Sequence, residues 1–240
     1  MAAKESLQRN VFFPVKFPSF YRGECQPTGP TCVLLYGPSG CGKLHLAKAV
    51  ATALYRPLFI VDMNCVMAAM TKHNEVEQAI AELFSVAAGD ITKTDIADSP
   101  GPSIIFFKDI DLLFDRRDRR RTGEFEDRMK AALLVQLAGE NGYGLDNRRV
   151  IVIAGTSSPM DLEYDPDFLA KFALKIEIPP PDGDARREIF AANGIPHPTA
   201  AVVSYWEIER MCDETEGFSA AYIKDGVRRA FDIPIKHVST

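Results

Sequence analysis

Gly37-Pro38-Ser39-Gly40-Cys41-Gly42-Lys43 fits the pattern G-x-x-x-x-G-K and falls between an apolar run, CVLLY, and a segment with helical spacing. In that context the glycines let successive backbone amides turn inward as an anion nest. The helix N-terminus adds partial positive charge, and the lysine at the end of the loop reaches phosphate oxygens. Pro38, Ser39, Gly40, Cys41, Gly42, Lys43, Leu44 and His45 are therefore the candidate phosphate and nucleotide contacts. Leu44 stands where a magnesium ion needs a hydroxyl, and an isobutyl group offers no ligand. The loop itself reads no base.

The elements that must position this loop follow a regular alternation. CVLLY leads through the loop into a helix with Leu46, Val50 and Leu54 on one face, ended by Pro57. A second strand, LFIVD, precedes a helix through Val76, Ile80, Leu83 and Ala87, and residues 89–103 read as an exposed polar loop. A third strand, SIIFF, is followed by the charged run DRRDRRR and a helix carrying Phe125, Met129, Leu133 and Leu137 as far as Gly139. RVIVIAG is apolar throughout, as a central parallel strand should be, and LKIEI is the candidate fifth strand. Such alternation implies right-handed crossovers. The expected fold is α/β, a three-layer parallel sheet of the P-loop NTPase kind, with ligand at the C-terminal ends of the strands.

At PPPDGD the character changes. Only helical patterns follow, over residues 184–192, 204–213 and 219–231, the second opened by a capping box of Ser204 with Glu207. The expected division is an α/β nucleotide-binding domain over residues 1–181 and a small helical domain over 182–240, with nucleotide at their junction. Trp206 reads as packing inside the helical domain.

Composition narrows the function classes. The 240 residues are 46% hydrophobic and 25% charged, ordinary for a soluble globular chain, and a net charge of -5 gives no general reason to expect nucleic acid or an anionic membrane as partner. Cys25, Cys32, Cys41, Cys65 and Cys212 form no C-x-x-C pair, and an odd number argues for reduced thiols. His45, His73, His197 and His237 lack zinc-ligand spacing, so no metal site of that kind is expected. The start has only the apolar run VFF before Pro14, too short for a signal peptide, and no later run reaches membrane-spanning length. The expected setting is cytoplasmic.

Several motifs in order carry a resemblance. PVKFP, LLYGPSGCGKLHLAKAVATAL, PSIIFFKDIDLLF, VIVIAGTSSP, IEIPPPDGDARREIF and TEGFSAAYIKDGVRRAF have the order and spacing of an AAA-type ATPase module, with similarity over residues 11–234. The chain resembles the meiotic clade, which includes katanin, spastin and fidgetin, and within it most of all the vacuolar-protein-sorting members. Those ATPases bind ATP between subunits of a hexameric ring and pull a protein chain through the pore. The resemblance thus implies ATP or ADP as cofactor, and as partners AAA subunits of the same or another kind together with a protein substrate or adaptor.

Carried over residue by residue, the resemblance gives a degenerate catalytic set. Leu44 replaces the hydroxyl ligand of magnesium. Four apolar residues followed by Asp-Glu would hold the metal and activate water, and here Lys108 takes the aspartate position while Asp109 replaces the glutamate. Sliding the alignment by one to make Asp109 the metal ligand conflicts with the expectation that adjacent residues leaving a strand point to opposite faces. The sensor asparagine after Thr156 is Ser157, and of the arginine fingers before Phe172 only Lys171 offers charge, with Ala170 beside it. The first pore loop lacks its aromatic residue, with Met70 and Lys72 near its place, and DRRDRRR, near the second, reads as a solvated surface. Together these changes remove metal ligation, metal charge balance, water positioning and the trans-acting cation, the last alone a factor of roughly a thousand or more in related enzymes.

The expected function is an ATP-binding module with weak or no hydrolysis, a pseudo-ATPase serving as a regulatory or structural subunit in protein-complex remodelling. Two other readings stand beside it: an active AAA ATPase that disassembles protein polymers in vacuolar sorting or severs microtubules, and an interaction scaffold without nucleotide. Binding of magnesium is doubtful, since Lys108 supplies positive charge where the metal would; the alternative for Lys108 is an extended side chain reaching solvent.

Overall fold

The computed structural model describes residues 2–17, 20, 32–70, 76–88, 103–114, 123–138, 150–163, 165–193 and 205–238. They form two compact units, one of Met1–Tyr36 with Lys43–Glu177 and one of Gly37–Gly42 with Ile178–Thr240.

The first unit opens on a helical stretch: α1 (Ala2–Leu7), a π-helical turn (Gln8–Phe12) and α2 (Phe13–Lys16). Its signal in the sequence is weak, carried by Leu7 and Val11, which are buried one helical turn apart. Pro14 sits in the first turn of α2, where its missing N–H leaves no bond unmade. Then come β1 (Cys32–Tyr36), α3 (Lys43–Leu54), β2 (Leu58–Asp62), α4 (Met63–Met70), α5 (Val76–Ala88), β3 (Ser103–Lys108), a 3-10 turn (Ile110–Phe114) and α6 (Gly123–Ala138). The unit closes with β4 (Val150–Thr156), the short α7 (Pro159–Leu162) and α8 (Pro166–Ala170), and β5 (Leu174–Glu177).

All five strands are parallel, in the order β2-β3-β4-β1-β5. β4 is buried along its whole length, as its unbroken apolar run requires of a strand covered on both faces, whereas β2 is an edge strand and leaves Ile60 exposed. The helices bury one stripe each. α3 uses Ala47, Val50, Ala51 and Leu54, with Leu46 only half-buried, and α5 uses Val76, Ile80, Phe84 and Ala87, with Leu83 partly covered at the margin. The Phe84 ring stacks on Phe107 of β3 with centroids 6.5 Å apart, tying helix to sheet at the core. At Gly155 a Cβ would come within 3.0 Å of the Phe106 ring, so glycine lets β4 lie close against its neighbour.

The second unit contains α9 (Gly183–Ala192), α10 (Tyr205–Glu214) and α11 (Ala220–Val238). Phe190, Ile208, Cys212, Ile223 and Val227 form its core. Asp182 caps α9 by accepting a hydrogen bond from the Ala185 N–H, and the buried Arg186 donates to the carbonyls of Cys212 and Pro181 at 2.9 and 2.8 Å. Two sequence expectations shift here. Trp206 is 63% exposed, because the inward face of α10 is carried by Ile208 and Cys212, four residues apart. α11 runs seven residues past residue 231, through Pro234, rather than stopping before it. Ser204, with its capping box, lies outside the described residues, as do the loop expected up to residue 102, the run DRRDRRR and Lys72.

Candidate phosphate-binding site

The glycine loop Gly37–Gly42 holds three left-handed or extended positive-φ glycines, at φ 140° for Gly37, 76° for Gly40 and 102° for Gly42. A side chain at Gly37 would put Cβ 2.2 Å from the Ile178 carbonyl oxygen, and one at Gly40 would come within 2.9 Å of both Ala221 and Ser219. The Ala221 N–H also donates to the Gly40 carbonyl at 3.0 Å, so packing and hydrogen bonding fix that side of the loop. Gly42 differs. A Cβ there would meet nothing within 4 Å, so its glycine answers a backbone conformation and leaves the space beside it open for a ligand. Such a turn suits an oxyanion, and its residues fit the phosphate of a nucleotide.

After the loop, Lys43 is the buried first residue of α3, Leu44 is half-buried and His45 is exposed. Residues 37–42 join the C-terminal end of β1 at Tyr36 to α3 at Lys43, so the first turn of α3 starts from the end of the sheet where the strands finish. At that end β2 and β3 run in register with Asp62 opposite Lys108. The Lys108 ammonium donates to Asp62 Oδ2 at 2.6 Å and lies 3.5 Å from Asp109 Oδ2. Asn64 completes the group: its backbone N–H donates to Asp62 and its side-chain amide to Asp109, at 3.0 and 3.3 Å. The hydrogen bond from Lys108 holds the Asp62 carboxyl below the usual carboxylate range, and the same bond raises the ammonium above the usual lysine range. Lys108 is thus a partnered cation and not a side chain extended to solvent.

The convergence of Lys108 and Asp109 corrects the opposite-faces expectation. Asp109 has already left the strand and adopts φ 57°, a left-handed conformation that aspartate tolerates better than most residues, and this turns its carboxylate back toward the ammonium. Strand alternation ends at Lys108.

One strand over, Thr156 ends β4 fully buried and accepts the Ser158 N–H at 3.0 Å, leaving Ser157 half-buried just beyond the strand. Asp111, in the 3-10 turn, is a member that sequence reasoning missed. Burial pushes its carboxyl above the usual range, against the lowering effect of hydrogen bonds from the Thr156 side chain and the Ser157 backbone. Its Oδ1 is buried without a partner. Lys171 is not drawn into this group. It caps α8, its N–H bonding back to the Phe168 carbonyl, and no hydrogen bond or ion pair joins its side chain to Lys108, Asp109 or Ser157.

A magnesium ion does not fit these residues. The position that would supply a hydroxyl is an isobutyl group, and the end of β3 presents an ammonium whose charge opposes a divalent cation. Among the described residues no group of three or more His, Cys, Asp and Glu side chains is placed to hold a metal, and no helix is long and apolar enough to cross a membrane.

Comparison with known proteins accounts for this arrangement. The family model of the ATPase family associated with various cellular activities, AAA, matches residues 33–180. The Arabidopsis thaliana protein SUPPRESSOR OF K(+) TRANSPORT GROWTH DEFECT 1 is 33% identical over 98% of this chain and 49% of its own length. Human vacuolar protein sorting-associated protein 4A is 32% identical over 99% of this chain and 50% of its own length. The chain therefore spans about half the length of these relatives. Among solved structures, the FIGL-1 AAA domain in complex with ADP superposes with a TM-score of 0.76 at 28% identity, covering 99% of this chain and 72% of that one. A katanin structure that addresses self-assembly gives 0.67 at 26% identity, over 95% and 66%. The glycine loop, the five-stranded parallel order and these likenesses converge: the chain belongs to the AAA ATPase family, related to the vacuolar-protein-sorting and katanin/fidgetin members.

Proposed function

We infer that this chain is an AAA nucleotide-binding module with weak or no hydrolysis, acting as a regulatory or structural subunit beside other AAA subunits, of the same or another kind, in protein-complex remodelling. In this reading residues 1–181 bind ATP or ADP through Pro38, Ser39, Gly40, Cys41, Gly42, Lys43, Leu44 and His45, and residues 182–240 form the helical lid. Asp109, Ser157 and Lys171 are the remnants of the catalytic set. The observation that carries the reading is the ion pair of Lys108 with Asp62, a fixed positive charge at the strand end where a working site gathers metal-binding carboxylates. Nucleotide binding draws support from the open space at Gly42 and from the FIGL-1 domain having been solved with ADP. A reducing, cytoplasmic setting suits Cys32, Cys41, Cys65 and Cys212, none of which is in a disulfide.

The test pairs calorimetric titration of ATP with a phosphate-release assay on the purified chain. The expected result is saturable binding with turnover at least about a thousandfold below a working phosphoryl-transfer site. Turnover of about 1 per second or faster refutes it and establishes the second reading, an active ATPase that disassembles protein polymers, which the identity to vacuolar protein sorting-associated protein 4A favours.

A further inference from the structure

The residues of the strand ends do not fit magnesium, and the way they disagree is specific. A site that had merely decayed would leave uncompensated carboxylates or a lysine directed into water. Here one lysine ammonium is gripped by Asp62 from the neighbouring strand and by Asp109 from the following turn, and Asn64 donates to both carboxylates. Two negative charges, one fixed positive charge and one amide make a closed electrostatic set. The sheet order puts β4 between β1 and β3, so Lys108 lies two strand spacings, about 10 Å, from the end of β1 where the chain enters the glycine loop. The registers Tyr36 with Thr156 and Phe107 with Ala154 place both ends at nearly the same level of the sheet. That separation is close to the screening length at physiological salt; the ammonium leans the other way, to Asp62 on β2, and the four-carbon stem of lysine gives it the reach to turn toward the loop when that pair opens.

Resting on the nucleotide-binding reading above, we propose that Lys108 is the resident cation of the phosphate site, and that Asp62 is its internal competing anion, a stand-in for phosphate oxygen when no nucleotide is bound. An incoming polyphosphate shares the ammonium with Asp62, just as it would share a magnesium ion with protein carboxylates. Two consequences follow. A divalent cation adds nothing to nucleotide affinity, because the charge it would bring is already present and repels it. And the two members of the ion pair act on affinity in opposite directions: losing Lys108 weakens binding, whereas losing the charge of Asp62 strengthens it by freeing the ammonium. An ion pair that only stabilises the fold cannot produce opposite signs, since either loss disrupts it equally.

The experiment measures ATP affinity by calorimetry for the wild-type chain, Lys108→Gln and Asp62→Asn, each with magnesium and with chelator, with a thermal melt on every variant. The expected pattern is equal wild-type affinity in both conditions within about threefold, a loss of about tenfold or more for Lys108→Gln in chelator, and a gain of about threefold for Asp62→Asn. Asp62→Asn keeps the shape and one accepting oxygen, Oδ1 for the Asn64 N–H, so it remains informative if Lys108→Gln fails to fold. Wild-type affinity at least tenfold tighter with magnesium overturns this inference and leaves the nucleotide-binding reading standing. Weaker binding by both variants in parallel also overturns it, as a purely structural pair requires. Absence of binding in both conditions overturns the reading and the inference together.

Discussion

The glycine loop allows steric and conformational costs to be separated within a few residues. Gly40→Ala places a methyl group at φ 76° and within 2.9 Å of Ala221 Cβ and Ser219 Oγ, whereas Gly42→Ala places one at φ 102° with nothing within 4 Å. The backbone term is shared and costs about 1–2 kcal/mol for a non-glycine residue in this region. Only Gly40 adds overpacking, about 1–3 kcal/mol where neighbours must shift. Gly40→Ala is therefore expected to destabilise by about 2–5 kcal/mol and Gly42→Ala by about 1–2. The control is Gly226→Ala in α11, where φ is ordinary and a Cβ again meets nothing: it should gain about 0.5–1 kcal/mol by stiffening the unfolded chain. For a chain of this size each kcal/mol moves the melting midpoint by about 2–4 °C, so the variants should order as Gly226→Ala above wild type, then Gly42→Ala, then Gly40→Ala. The assay is a thermal or urea melt of each, with nucleotide affinity measured alongside. Gly42→Ala should lose affinity out of proportion to its modest loss of stability, because it fills open space beside the loop. Equal destabilisation by Gly40→Ala and Gly42→Ala, or a lower midpoint for Gly226→Ala, would refute the assignment of packing to one glycine and open space to the other.

Three further outcomes are expected. The Asp62 carboxyl is held below its usual range, so its contribution is present above about pH 4 and lost as pH falls through the folded pKa; Lys108 is raised, so its share persists up to about pH 10.5 and is lost as pH rises through its folded pKa. With side chains 40% and 30% exposed, the pair is worth at most about 1 kcal/mol, and a Lys108→Gln melt should differ from wild type by no more than this between those limits. Burial raises the Asp111 carboxyl, so the folded state binds the proton more tightly and stability falls as pH rises from the unfolded pKa through the folded one; Asp111→Asn should remove that fall and melt higher at pH 7, as pH-dependent unfolding curves will show. Arg186→Lys should destabilise the second unit by about 1–3 kcal/mol in urea, since an ammonium cannot reproduce the fork that serves both the Cys212 and Pro181 carbonyls.

Much of the fold was legible because the sheet is parallel and buried. CVLLY, SIIFF and VIVIAG each read as a strand from an unbroken apolar run, since strands covered on both faces need no polar alternation; LFIVD reads the same way although it lies at the edge with Ile60 exposed, and the order of the four with intervening helical stripes fixes the layer architecture. What escaped were elements whose signal is weak or borrowed. The helical stretch from Ala2 to Lys16 shows only Leu7 and Val11 as a buried stripe, among phenylalanines that stay half-exposed. Trp206 misled because a large aromatic carries a strong burial prior, yet the neighbours four residues apart that define the inner face of α10 are Ile208 and Cys212.

For the site, residue identities were readable and their partners were not. Lys108 stood out as a substitution at the end of an apolar strand, but a lysine alone does not say whether it faces water, phosphate or a carboxylate. The missing term was register. Aligning LFIVD with SIIFFK by their apolar cores puts Asp62 opposite Lys108, and the complementary charges alone would have argued for that pairing. Asp109 could not be placed the same way, because its convergence on Lys108 depends on a left-handed backbone that no strand pattern encodes. The lysine at the end of β3 is thus read fully only with the carboxylate at the end of the adjacent strand. Paired with Asp62 it is neutral, so its charge reaches a phosphate oxygen only to the extent that Asp62 releases it, which is why register and not residue type decides what this position can do.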